Sequence, residues 1–203
     1  VLEEAARRGG LEAPTDAGAE GLGRGVGYAR YKGTGAWCAV VAQVQAGATL
    51  RVQRLTVVAD VGHPVHPDGV VQQLEGGALQ ALSWTLKEAV VADASGRVGS
   101  RTWDDHPILR FSEVPELNVH VMPSAEPSLG AGEAALGPTA AAIANALANA
   151  LGVRVRDLPL TPERIVRAMD DALGGEAYAS PRRTLRSPRA PTRWPGDADV
   201  MPT

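Results

Sequence analysis

A single cysteine, Cys38, leaves this chain of 203 residues without an internal disulfide framework and without a cysteine-built metal or iron–sulfur site of its own. Cys38 sits inside the apolar run Ala36–Ala42, which assigns it a buried packing role. Aromatic residues are few: four Trp, three Tyr and one Phe. No stretch reaches the roughly 18 uninterrupted apolar residues of a membrane span. A strong excess of one charge is also missing. The net charge of −3 gives no reason to expect nucleic acid or a membrane surface as the main partner. No serine stands in a GxSxG elbow and no GxxxxGK phosphate loop occurs, so hydrolase and nucleotide-triphosphatase readings are weak. The opening "VLEEAARRGG" has neither an initiating methionine nor the apolar centre of a signal peptide. It reads as the end of a helix begun upstream, and the chain as a piece of something longer.

What is plentiful is glycine and proline, 23 and 15 residues, which points to many turns and to places where backbone approaches something closely. After the glycine-rich "GAEGLGRGVGYARYKGTG", the runs "AWCAVVAQVQ" and "TLRVQRLTVVAD" read as two strands joined at Gly47. In "HPDGVVQQLEGGALQALSWTL", Val71, Leu74, Ala78, Leu82 and Leu86 recur at helical spacing. Gln73, Gly76, Gly77 and Gln80 form a second stripe that is small and amide-bearing. Each interior glycine costs about 1 kcal/mol relative to alanine, so close approach of a backbone or a ligand is expected to offset it. A hairpin turning at Ser95-Gly96 follows, then an irregular stretch broken by Pro107, then a strand in "PELNVHVMP". One helix is predicted from near Pro138 to a stop at Gly152, with Ile143, Leu147 and Leu151 buried. A last helix begins at "TPER", with Thr161 as N-cap, and ends by Gly174-Gly175. The fold class expected is α+β, with mixed sheet layers, packed helices and no repeats. Residues 1–175 are expected to form the folded region, and the Arg/Pro-rich 176–203 a disordered, solvated or subunit-draping tail.

Glu133 is the acid most easily read as functional, because Gly130 and Gly132 in "GAGE" let the backbone project a carboxylate into a site. A surface loop acid and a general base both fit the spacing. Gln73 reads either as a solvent-facing amide or as a donor to a polar ligand. Among the four histidines, His63 and His66 are three apart, but Pro64 and Pro67 interrupt any regular helix between them. His106 and His120 lie elsewhere, so a protein-ligated zinc site is not expected.

Several stretches together carry a resemblance. They are "ARYKGTGAWCAVVAQV", "VVADVGHPVHPDGVVQQLEGGALQALSWTLKEAV", "DDHPILRFSEVPELNVHV" and "EPSLGAGEAALGPTAAAIANALANALGVRVRDLPLTPERI". In order and content they resemble the C-terminal portion of the molybdopterin-binding large subunit of the xanthine dehydrogenase and aldehyde oxidase family. The likeness is to the bacterial isoquinoline 1-oxidoreductase and nicotinate dehydrogenase type, and it runs from Val1 to Met169. The resemblance implies a segment of a molybdenum hydroxylase that hydroxylates an N-heteroaromatic or aldehyde carbon with water-derived oxygen, with Glu133 as the base beside the metal. It implies further that Gln73, Gly76 and Gly77 of the helix, and Gly130, Ala131 and Gly132 of the loop, approach a molybdopterin cytosine dinucleotide whose pterin supplies the metal's ligands. The partners implied are a small subunit carrying [2Fe–2S] clusters, a chain or upstream region completing the molybdenum site, a small-molecule substrate and a cytochrome acceptor. A remnant or scaffold chain that kept the fold without the cofactor is the alternative. The sequence departs from the family at His66-Pro67, where Asn-Pro is usual, and the long region supplying the rest of the pocket is absent.

Overall fold

The computed structural model describes residues 1–11, 21–47 and 49–173. Its centre is a four-stranded sheet in the order β1-β2-β3-β4, with β1 Leu22–Arg30, β2 Trp37–Ala46, β3 Leu50–Asp60 and β4 Glu116–Val121. The first three strands run antiparallel, and β4 lies parallel to β3. A parallel neighbour requires a crossover, and helix α2, Pro67–Leu86, lies within the connection that makes it. Helix α3, Leu136–Leu151, covers one sheet face beside α2, and α1, Leu2–Arg8, packs on β2 and β3. Helix α4, Pro162–Leu173, follows, and Thr161 Oγ1 accepts from Arg164 N at 3.4 Å. Mixed strands with helices packed against them make the chain α+β, as the sequence predicts. The expected tail, 176–203, and the glycine stop of α4 lie outside the described residues.

Strand β1 is absent from the sequence reading, because glycine is depleted in strands and three of them alternate through it. The alternation explains the strand. A Cβ on Gly23, Gly25 or Gly27 would sit 2.2, 2.2 or 2.0 Å from backbone atoms of α3, at Ala146 O, Ala146 N and Pro138 O. The helix backbone therefore rests directly on the strand, helped by its own small residues Ala142, Ala146 and Ala150. β1 is also a sheet edge, and α3 serves that edge: Asn149 Oδ1 accepts from Arg24 N and Asn145 Nδ2 donates to Val26 O, both at 2.9 Å.

The main core joins Val40, Val44, Leu55 and Val57 of the sheet to Leu74, Ala78 and Leu82 of α2 and to Ile143 and Leu147 of α3. Cys38 is fully buried among them, and burial pushes its thiol up to about 12. A smaller cluster holds Ala5 of α1 against Ala39, Val41 and Val58 on the other face. Gly152 ends α3 in the left-handed conformation, φ 73°. The hairpin expected at Ser95-Gly96 forms its turn, with Asp93 Oδ1 accepting from Ser95 N and Arg97 N at 2.8 and 3.0 Å. Its ladder stops at one bridge, Ala92 with Val98.

Candidate functional site

The register places Arg30, Trp37 and Asp60 side by side, and Val121 pairs with Ala59. Three loops therefore lie at the same end of the sheet: 31–36 between β1 and β2, 61–66 between β3 and α2, and 122–135 between β4 and α3. In sheets with parallel strands, ligands are bound where loops leave the carboxyl ends.

Hydrogen bonds tie these loops together. Leu129 N donates to Val61 O at 2.7 Å, His63 N to Glu126 O at 2.8 Å, and Ser128 Oγ to His63 O at 2.6 Å. Ala36 N reaches Gly130 O at 3.4 Å. Gly62 adopts φ 65°, and a Cβ there would lie 2.0 Å from Pro127 O, so the two loops touch at backbone level. The result is an open groove of about 420 Å³ lined by His63, His66, Gln73, Ser128, Ala131 and Gly132, among others. A larger cavity of about 780 Å³, between α4 and segment 152–158, is lined by Arg154, Arg156, Arg164 and Arg167 and contains none of the sequence-predicted site residues.

The structure brings the α2 stripe and the GAGE loop together. A Cβ on Gly132 would come within 3.5 Å of Gln73 Oε1, and one on Gly77 within 3.8 Å of Gly132 O. Among the described residues, nothing lies within 4 Å of a Cβ built on Gly76 or Gly130. The N–H groups of Gly130, Ala131, Gly132 and Glu133 meet no acceptor among the described residues, nor does the Gln73 amide find a partner there. Gln73, Ala131 and Gly132 form one wall of the groove, with main-chain donors and an amide that no described residue satisfies.

Glu133 is exposed at the lip of this wall, one residue beyond the groove. Tyr31 donates its hydroxyl to Glu133 Oε2, and Lys32 Nζ lies 4.0 Å from the same oxygen. Neither residue features in the sequence reading. The only signal for them was "RYKGTG", a turn-forming segment whose partner is 102 residues away. Lys32 takes φ 48°, left-handed for a residue with a side chain. Hydrogen bonding to Tyr31, and then the negative charge of Glu133, hold its ammonium above the ordinary lysine range.

His66 has a structural task. It is the N-cap of α2, with Nδ1 accepting from Gly69 N at 2.7 Å. This is the task an asparagine performs at such a position. Gly69 is part of the arrangement, because a Cβ there would meet His66 Nδ1 at 2.6 Å.

A family model described as a molybdopterin cofactor-binding domain matches residues 7–115, just over half of the chain. The chain belongs to this family. Helix α2 lies within the match, and the Glu133 loop lies beyond it. The chain is similar to a nicotinate dehydrogenase subunit of Pseudomonas putida, 44% identical over 164 residues, which cover 76% of this chain and 13% of the relative. It is 36% identical over 150 residues to the beta subunit of isoquinoline 1-oxidoreductase of Brevundimonas diminuta, covering 72% and 19%. A membrane-bound aldehyde dehydrogenase of Gluconacetobacter polyoxogenes, whose name carries pyrroloquinoline-quinone, is 35% identical over 173 residues, covering 84% and 22%. Among solved structures, quinoline 2-oxidoreductase of Pseudomonas putida 86 superposes with a TM-score of 0.60 at 30% identity, covering 67% and 18%. The chain thus spans about a fifth or less of the length of several relatives it matches.

Proposed function

We propose that this chain is one wall of the catalytic site of a molybdenum hydroxylase, acting on an N-heteroaromatic or aldehyde carbon. The observation that carries the reading is the meeting of Gln73, Gly77 and Gly132 at one end of the sheet, with Glu133 beside them. When bound, a molybdopterin supplies the two-electron redox chemistry and the acidifying charge of its metal.

The chain's own residues supply the surroundings. The Gln73 amide would help hold the pterin by donating a hydrogen bond to it. The N–H groups of Gly130, Ala131 and Gly132 would donate to its anionic or carbonyl oxygens. Gly76 and Gly77 keep the helix surface low enough for that approach. Glu133 accepts the proton released as the substrate is hydroxylated, provided it comes within about 3 Å of the donor in the reactive complex. The cofactor form proposed is the cytosine dinucleotide.

An upstream region or companion chain completes the pocket. Exposed apolar side chains fit that role. Phe111, the only phenylalanine, is 99% exposed, and Trp103 is 77% exposed beside it along a groove that also includes Ile108 and Val114. The companions proposed are a small subunit that would carry [2Fe–2S] clusters and an electron acceptor such as a cytochrome. The name of the aldehyde dehydrogenase relative raises pyrroloquinoline quinone as a second cofactor, but the family model matched by this chain is one for molybdopterin.

Co-purification tests the proposal. Tagged chain, expressed in a molybdate-supplied bacterium with its genomic neighbours, is expected to carry molybdenum, a cytosine nucleotide released on acid treatment, and an iron–sulfur subunit. A metal-free chain that purifies without companions favours the scaffold alternative. A quinone cofactor without molybdenum overturns the assignment.

A further inference from the structure

The two oxygens of Glu133 are not equivalent. Oε2 accepts the Tyr31 hydroxyl and has Lys32 Nζ within 4.0 Å, whereas Oε1 has no hydrogen-bond partner among the described residues. The turn that carries the phenol is held from several sides. Tyr31 N donates to Ala36 O at 2.9 Å, and Tyr31 O accepts from Thr34 N at 3.2 Å and from Gly35 N at 2.7 Å. Gly35 is tight against the ring, since a Cβ there would meet Tyr31 Cδ1 at 2.8 Å. Lys32 and Gly33 are successively left-handed, φ 48° and 70°. A lysine holds such a conformation only where its surroundings fix it, and such residues gather at functional sites. The same turn reaches the carboxylate's own loop through the Ala36 N to Gly130 O bond.

From this geometry we infer that Tyr31 is a positioning residue, tethering Glu133 through Oε2 and leaving Oε1 as the oxygen that receives the proton. The inference rests on reading Glu133 as the base. In the transfer, Oε1 gains the proton and the carboxylate becomes a carboxylic acid, while the Tyr31 O–H bond stays intact. A glutamate side chain has several freely rotating bonds, and a ring held at both its backbone and its edge removes that freedom through a charge-assisted hydrogen bond. Lys32 adds charge beside the tether without reaching Oε1.

Two measurements test this. The first uses the full chain labelled with carboxyl-13C glutamate, the Glu133 signal being identified by its loss in Glu133→Gln. Tyr31→Phe keeps the ring and is expected to move that signal to the position of freely exposed glutamates. An unmoved signal overturns the tether. The second uses the assembled enzyme with its molybdenum content measured. Tyr31→Phe is expected to lower kcat about tenfold, with KM within about twofold and metal loading unchanged. Added to Glu133→Gln, it is expected to cause no further loss, because the tether then has no base to hold. A further loss of the same size in the double variant overturns the positioning role. If Tyr31→Phe does not accumulate, Gly35→Ala, which displaces the ring, is expected to give the same signal shift and kcat loss, and their absence is equally decisive. Normal turnover in Glu133→Gln together with a shifted Glu133 signal in Tyr31→Phe overturns the base assignment while leaving the contact intact, and so separates the two failures.

Discussion

Replacing Gly76 by alanine separates what the fold requires from what a ligand requires. Gly76 lies inside α2, its ideal Cβ would meet nothing within 4 Å among the described residues, and its φ is not left-handed. By helix propensity alone the substitution stabilises the chain by about 1 kcal/mol, or about 2–4 °C in the melting temperature of a chain of this size. If the glycine is kept to let a cofactor approach, the same variant of the assembled enzyme loses molybdenum and pterin while its fold becomes more stable. Gly25→Ala is the contrast. Its Cβ would lie 2.2 Å from Ala146 N and 2.5 Å from Ala142 O, backbone atoms that cannot rotate away. The expected cost is about 3 kcal/mol or more. Circular dichroism melts of the full chain, paired with metal analysis of the complex, read both effects. A Gly76→Ala chain that melts lower than wild type, or one that keeps its full cofactor content, refutes the reasoning.

His66→Ala removes the α2 cap and is expected to cost about 1 kcal/mol, while His66→Asn restores the melt, because an asparagine oxygen also accepts from the Gly69 N–H. Asn145→Ala leaves Val26 O on the β1 edge without its donor. It is expected to cost about 1 kcal/mol and to raise concentration-dependent association, measured by light scattering. Hydrogen bonds from Arg7, then Arg8, lower Glu4 to about 2 from 4.5. A depressed carboxyl stabilises the fold above its unfolded value, so this contribution is complete above about pH 4.5 and is lost as pH falls toward 2. Glu4→Gln is therefore expected to flatten the acid limb of a urea-unfolding series within that window, and an unchanged limb counts against the contact.

The sequence made the helices and the apolar strands legible because their side chains carry the period. Leu74, Ala78 and Leu82, and likewise Ile143 and Leu147, are buried where the spacing put them. Strand β1 was hidden for a physical reason: its buried face consists of glycines, and their purpose appears only once α3 lies on them. In the candidate site, glycine spacing and resemblance marked Gln73 and the GAGE loop, which the fold then brought together. Tyr31 could not be found in that way. Its contact with Glu133 spans 102 positions and depends on a left-handed lysine, a conformation that no local pattern announces. The task of His66 was likewise invisible, because histidine is not among the residues that ordinarily cap helices.

The central claim is that the carboxylate at position 133 is the base in a molybdenum site of which this chain forms one wall. Glu133→Gln, which keeps the side chain's shape and can still accept the Tyr31 hydroxyl, tests it most directly in the assembled enzyme, with molybdenum and pterin measured on the same sample. The account predicts full cofactor loading with kcat lowered by about 10²-fold or more. Turnover near the wild-type rate in fully loaded enzyme contradicts it.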